Sequence, residues 1–394
     1  MKKIIPIGPY HPLQEEPEFF KLYVDGEKVV DIEIEIGYNH RGIEHISTTK
    51  HYDQVTFAVE RICGICSTSH PFAYVNSVEN LLGIDVTIRA KYIRSIIGEL
   101  ERLHSHLLWL GLAGHFIGYN TLWMWSWKYR ESVCDILEVI SGNRQHYSMF
   151  KIGGVRKDIP KELIPQVEKM CADLVPVLDM FKGAVMDDPV LHTRLKGVGV
   201  LTKEDAIKYC VVGPTARASG IDIDVRRDDP YAAYEIVEFN VPVLQNGDVF
   251  DKAVIRVLEM YESIKIIKQC LDGLKKEPEG NIETKVDFIP PGEGIGRHEA
   301  PRGEVFHYIR SDGSNRPIRH KIRAPSYMNV ASNKVAAVGQ TISDAAITLA
   351  AVDPCYCCTE RTTIVDINNK KLNLNWEDLI KLSQEKTEKL RQQL

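Results

Sequence analysis

The chain has 394 residues, 44% apolar and 26% charged, an ordinary globular composition with length enough for a large buried core. Its formal charge of −5 gives no basic footprint and argues against a nucleic-acid partner. No apolar run of signal-peptide length precedes Pro6 and Pro9, and the most apolar segment, Leu107 to Tyr119, contains His115 and is too short to span a bilayer. The expectation is a soluble chain whose membrane role, if any, comes through partners.

In chain order, KLYV, DGE and VVDIEIEI predict a half-buried hairpin in which Val30, Ile32, Ile34 and Ile36 alternate with Asp31, Glu33 and Glu35. From about residue 50 the period changes, and Ile93, Ile96, Leu100, Leu103 and Leu107 fall on one face of a helix over about 86–112. Further helices are expected at about 121–141, 161–185 and 247–275. Ile289 to Pro325, rich in glycine, proline and arginine, reads as loops and a hairpin turning at Ser311–Asn315. Helical character returns over about 328–351, and a weak helix begins near Asn375. The fold class is α+β, mainly α: a central bundle of long helices, an N-terminal β-hairpin region, and a second small β region near 283–324. One domain is expected over 1–361, with a β-rich part to 46, a helical body over 47–280, loops and hairpin over 281–326, and a helix with the last cysteine motif over 327–361. Residues 362–394 read as a C-terminal extension.

Nine cysteines, an odd number, suggest a reducing compartment with free or metal-bound thiols, not a disulfide framework. Cys134, Cys171, Cys210 and Cys270 read as buried apolar thiols. Cys63 and Cys66, like Cys355 and Cys358, stand three apart, a spacing that turns both sulfurs of a pair to one side. Asp353-Pro354 reads as the N-cap and first position of a helix that presents the second pair. Zinc, redox, iron–sulfur and low-valent nickel or iron centres all use such thiolates. The long separation of the pairs and their apolar helical flanks disfavour a compact zinc ribbon, but spacing alone leaves the choice open. GEGIG (Gly292–Gly296) lacks both the dinucleotide spacing and a βαβ setting.

The motifs GPYHPLQEEP, GYNHRGIE, ERICGICSTSH, EAPRGEVFHYI and DPCYCCTER occur in this order up to Arg361. Together they resemble the large, catalytic subunit of the nickel–iron hydrogenases, and GPYHP, GYNHRGIE and SDGSNRPIRHKIRAP resemble its energy-converting, membrane-bound group. That group is related to the quinone-site subunit of complex I, which lacks the full set of four cysteines. The resemblance implies a nickel–iron centre on Cys63, Cys66, Cys355 and Cys358. Cys63 and Cys355 would bind nickel alone; Cys66 and Cys358 would bridge to an iron carrying carbon monoxide and cyanide. Cys357 is implied to be a bystander.

The resemblance further implies Glu15 as proton relay, Cys355 as the thiolate that accepts the proton, and Arg302 as an arginine overhanging the metals. His70 would donate a hydrogen bond to Cys66, Glu44 would bind magnesium, and His11, a quinone contact in complex I relatives, would help route protons. Arg361 marks a cleavage site for the extension. The implied activity is reversible heterolytic cleavage of hydrogen, coupled to ion translocation. Electrons would be exchanged with ferredoxin through a small subunit bearing a four-iron cluster and further ferredoxin-like subunits, since this chain holds no iron–sulfur cluster. The implied location is cytoplasmic, at the inner face of the cell membrane, beside membrane-embedded ion-translocating subunits. The competing readings are a complex I-like quinone- or sulfur-reducing relative and a zinc-stabilised, non-catalytic scaffold subunit.

Overall fold

The structure, a computed structural model, describes residues 2–12, 14–359 and 376–393. It opens with an antiparallel sheet, β1 (Lys2–Ile7), β2 (Phe19–Asp25) and β3 (Lys28–Glu35), in the order β1-β2-β3. The predicted hairpin is present, with one correction. Tyr23 pairs with Asp31 but Val24 pairs with Val29, so Val30 is the extra residue of a bulge. The bulge shifts the alternation, burying Val29 and Ile32 and exposing Val30. The inner face of this sheet packs Phe20, Leu22 and Val24 against Leu349, Val352 and Tyr356, bracing the chain on either side of Asp353.

Helices α1 (Ile43–Thr48), α2 (Tyr52–Glu60) and α3 (Ser69–Leu82) lead to the two longest of the first half, α4 (Ile88–Phe116) and α5 (Asn120–Ser141). A two-residue ladder, β4 (Phe150–Lys151) with β5 (Gly154–Val155), precedes α6 (Ile164–Asp187). Short helices α7 (Pro189–Leu195), α8 (Lys203–Lys208), α9 (Gly213–Ala218) and α10 (Val225–Asp228) then reach α11 (Val249–Leu274). The four long helices thus lie where the 3.6-residue period placed them.

Helix α4 departs from the simple amphipathic reading. Its apolar stripe is buried, but so are Arg94, Glu99, Glu101, Arg102, His104 and His106. Partners on other elements make this tolerable. Arg94 holds Glu79 through two bonds of 2.8 and 2.6 Å, and His106 meets Glu259 at 2.8 Å. Glu99 accepts from Arg226 at 3.0 Å, Tyr234 at 2.6 Å and Ser263 at 2.6 Å. Sequence period alone reads such residues as a solvated face; only their tertiary partners reveal a buried network.

The region read as loops and one hairpin is a three-stranded antiparallel sheet, β6 (Gly292–Ala300), β7 (Gly303–Ser311) and β8 (Arg319–Arg323). Its glycines misled the reading because they serve close packing, not looping. A Cβ at Gly294 would stand 2.0 Å from the Ser77 carbonyl oxygen, and one at Gly296 2.1 Å from that of Ala73, so the strand lies directly on α3. The next helical stretch divides into α12 (Pro325–Ala331), α13 (Asn333–Ala336) and α14 (Ile342–Ala351). The chain forms one unit over Met1–Glu360 and a second over Arg361–Leu394, whose described part is α15 (Trp376–Arg391). The expected cleavage position, Arg361, lies outside the described residues.

Candidate metal centre

Cys63 and Cys66 sit in the turn between α2 and α3, where the Cys66 N–H points at the Cys63 sulfur over 3.5 Å. Helix α4 holds this turn from below. Glu101 accepts from the Thr68 N–H and, at 2.5 Å, from the Ser69 hydroxyl, capping the start of α3. His104 donates through Nε2 to the Ile65 carbonyl at 3.1 Å while its Nδ1 accepts from Arg130 at 2.9 Å, which fixes its tautomer. From above, Arg41 donates to the carbonyls of Arg61 and Ile62 at 2.8 and 2.7 Å. Neither Glu101 nor His104 stands in a motif, and only their position on α4, each directly after a residue of its apolar stripe, hinted at burial.

Cys355 caps and Cys358 ends a single 3-10 turn, Tyr356–Cys358, and neither sits in the first turn of a longer helix. Asp353 is not an N-cap: it has φ +54, and its carboxylate faces Arg302 instead. The Cys355 N–H donates to Ser326 at the start of α12 at 3.0 Å. Trp109 of α4 and Arg256 of α11 donate to the carbonyls of Ala350 and Ala351 at 2.9 and 3.1 Å, tying the end of α14 to the bundle.

These supports bring the four sulfurs of Cys63, Cys66, Cys355 and Cys358 together, all buried and all within 4.8 Å of one another. Cys66 is 3.6 Å from Cys358, and Cys355 is 2.8 Å from Cys358. Hydrogen bonds from the other three sulfurs hold the Cys63 thiol well below its ordinary range. Such bonds from Cys355 and Cys358 also favour the Cys66 thiolate, but burial and the negative Cys63 outweigh them and push it up to about 11. Burial first, then the other sulfurs, pushes Cys355 well above its ordinary value, and burial with Cys63 and Cys66 does the same to Cys358 against a hydrogen bond from Cys355. Four thiolates cannot coexist here without a cation, so the donor set fits a thiophilic metal ion or a close pair of them. A cavity of about 10 Å³, room for one water-sized body, adjoins the sulfurs between His70, Pro301, Arg302, Val305 and Pro325.

Arg302, in the β6–β7 turn, is buried beside this cavity. Its Nε donates to the Asp353 carbonyl at 2.8 Å, its Nη1 to Ser105 at 3.2 Å, and its Nη2 is 2.7 Å from the Asp353 carboxylate. Burial opposes its charge, but Asp353 and the sulfurs hold the guanidinium ionised. His70 contacts Cys358, not Cys66 as expected, with Nε2 3.4 Å from the sulfur. The sheet on α3 and the second cysteine turn together place Cys358 at the start of α3, at the Nε2 edge of the His70 ring.

Of the two loop acids, Glu16 makes the contact with the cysteine motif, accepting from the Cys357 N–H at 2.6 Å. Glu15 is exposed on one side while protein crowds the rest. That loss of water pushes its carboxyl up to about 8, against Arg302 and with the help of Asp353, Glu16 and Cys63. Water on its open side screens part of this push. His11 lies exposed on the same loop. Glu44 is not brought to the cysteines: its carboxylate accepts from Lys321 at 2.5 Å and from the Ile322 N–H at 3.0 Å. Cys134, Cys171 and Cys270 are buried as expected, whereas Cys210 is exposed, on a residue with φ +54 after α8.

The description "Respiratory-chain NADH dehydrogenase, 49 Kd subunit" matches residues 117–288 and 281–361, and "Nickel-dependent hydrogenase" matches residues 41–112. The chain belongs to the family these two descriptions share. Its first cysteine pair falls in the hydrogenase match and its second in the 49 kDa match. It is 42% identical to the membrane-bound hydrogenase subunit alpha of Pyrococcus furiosus, over 99% of this chain and 96% of that one. It is 38% identical to the carbon monoxide-induced hydrogenase of Rhodospirillum rubrum, over 91% of this chain and 99% of the relative. Among solved structures, a chain of the membrane-bound sulfane sulfur reductase, an archaeal respiratory membrane complex, superposes with a TM-score of 0.87 at 29% identity, covering 91% of this chain and 98% of that one. The family is one of oxidoreductases that work in membrane complexes. Among the described residues no helix is long and apolar enough to cross a membrane.

Proposed function

We propose that this chain is the catalytic subunit of an energy-converting nickel–iron hydrogenase, a reading carried by the four buried sulfurs that converge within 4.8 Å. Cys63 and Cys355 would hold nickel, and Cys66 and Cys358 would bridge it to an iron with carbon monoxide and cyanide ligands. Once bound, the metals supply a soft centre at which hydrogen is split or formed. The Cys355 thiolate takes or gives the proton at the sulfur. Arg302, fixed by Asp353 and Ser105, holds a positive charge over the cavity and favours charge separation there. Protons pass between Cys355 and solvent through the adjacent Glu15 and Glu16, Glu16 contacting the motif and Glu15 opening to water. A carboxyl raised from its ordinary range toward neutral pH suits a shuttle that works there. His11, exposed on the same loop, lies on the outer part of that route.

At Glu44 the Lys321 ammonium supplies the local positive charge, and a magnesium ion is not needed for neutrality. Electrons would enter through partner subunits. These are a small subunit with a four-iron cluster and ferredoxin-like subunits that accept electrons from ferredoxin. Membrane-embedded subunits would translocate ions and hold the chain at the cytoplasmic face. Cleavage after Arg361 would follow metal insertion.

The likeness to the sulfane sulfur reductase favours a second reading, reduction of sulfur species on the same scaffold. One assay separates the two: the complex, purified without oxygen, is given reduced viologen with and without polysulfide. Hydrogen evolution that scales with bound nickel supports the first reading. Sulfide release without hydrogen rejects it.

A further inference from the structure

We propose that His307 and His320 are positioning residues that set the tautomer of His70, so that its Nε2–H points at the Cys358 sulfur. The three rings form a continuous chain: His70 Nε2 to Cys358 Sγ at 3.4 Å, His70 Nδ1 to His307 Nε2 at 3.0 Å, and His307 Nδ1 to His320 Nε2 at 2.9 Å. Strand alternation builds it. Val305, His307 and Ile309 of β7, and His320 and Ile322 of β8, form the buried face, and His320 stands diagonal to His307 in the ladder, where His307 pairs with Ile322. All three rings are buried, and among the described residues no carboxylate bonds to any of their nitrogens. Burial holds His320 down to about 3 and His307 well below its ordinary value, so the outer two links are neutral.

A neutral imidazole carries one N–H, so the chain has only two hydrogen-bond registers. In the inward register His320 donates to His307, His307 donates to His70, and His70 donates to the sulfur. Its unpaired group is the His320 Nδ1 lone pair, which has no partner among the described residues. In the outward register that same atom becomes a buried N–H without an acceptor, and His70 turns a lone pair toward sulfur. An orphaned buried donor is the costlier defect, and a thiolate adds repulsion to it. The inward register therefore prevails whether or not Cys358 is ionised, and once that sulfur is a thiolate the donated bond withdraws electron density from it. Residues two and three hydrogen bonds away from the sulfur thus tune the metal. The inference rests on the metal-centre reading only in that Cys358 carries a metal.

The test is nitrogen-15 NMR of the histidine rings in the full-length chain, with infrared spectra of the metal-loaded complex as a second readout. The native His70 is expected in the Nε2–H form. His307→Phe should convert it to an average of both tautomers, and His307→Gln, whose amide N–H reaches the place of Nε2, should restore it. His320→Phe, which touches no sulfur, should shift the carbon monoxide band of the loaded complex. An Nδ1–H form in the native chain, or an unchanged His70 in His307→Phe, overturns the proposal. Absence of any carbon monoxide band in the native complex counts against the nickel–iron reading instead, and the NMR result still decides this one.

Discussion

Glu15 and Glu16 are neighbours in sequence with different surroundings. Glu16 touches the backbone of the cysteine turn, while Glu15 faces water with a carboxyl pushed up to about 8. If protons cross both, Glu15→Gln and Glu16→Gln should each leave the metals bound and lower hydrogen turnover by about 10²-fold or more. Full activity in one variant, measured with hydrogen–deuterium exchange, removes that residue from the path. Arg302 and Asp353 are a buried pair, so Asp353→Asn leaves a buried guanidinium short of its counter-charge. The chain should lose about 3–5 kcal/mol in urea unfolding, whereas loss of under 1 kcal/mol would mean that the sulfurs alone compensate Arg302. At this scale the cysteines and Arg302 were legible because the motifs fix residue type and spacing. The choice between Glu15 and Glu16, and the true partner of His70, were not. Adjacent loop acids have no period, and His70 meets a sulfur 288 positions away, set by tertiary packing.

At the scale of elements, the helices were legible from their apolar period, and the sheet on α3 was not, because its glycines looked like loop. Gly296→Ala would drive a methyl into the Ala73 carbonyl and push β6 off α3. Overpacking of this kind costs roughly 1–3 kcal/mol or more, and the shift should also disturb His70 on α3. Gly64, inside the first cysteine turn, is the control. Its nearest neighbour would be 3.4 Å from the new Cβ, so Gly64→Ala should stay within about 0.5 kcal/mol. Equal urea midpoints for the two variants would contradict the close-packing account of β6. The bulge at Val30 was equally invisible, because alternation in VVDIEIEI fits either register until the pairing partner is known.

For the whole molecule, the buried polar network sets a pH response. His70, His104, His106, His298, His307 and His320 are all held below their ordinary value by burial. Below about 6.5 the unfolded chain takes up protons that the folded one refuses, so stability falls by up to about 1.4 kcal/mol per histidine for each pH unit. Glu101 and Glu299, raised by burial to about 8 and about 7, work in the opposite direction, as do Glu15 and Glu16 to a smaller degree. The carboxylates of Glu99 and Glu259, held low by arginines against burial, lose their contribution only below about pH 4. The net expectation for the metal-free chain is a loss of roughly 3 kcal/mol per unit between pH 6.5 and 5. Urea midpoints unchanged over that interval would show that these histidines are not buried neutral.

The central claim is that the four sulfurs hold a nickel–iron pair. Metal analysis and infrared spectroscopy of the complex, purified without oxygen, test it in a single preparation. The account predicts nickel and iron in equal amounts, with carbon monoxide and cyanide stretches that vanish when Cys358→Ser removes one bridging sulfur. Zinc alone, with no such bands in active material, would contradict it.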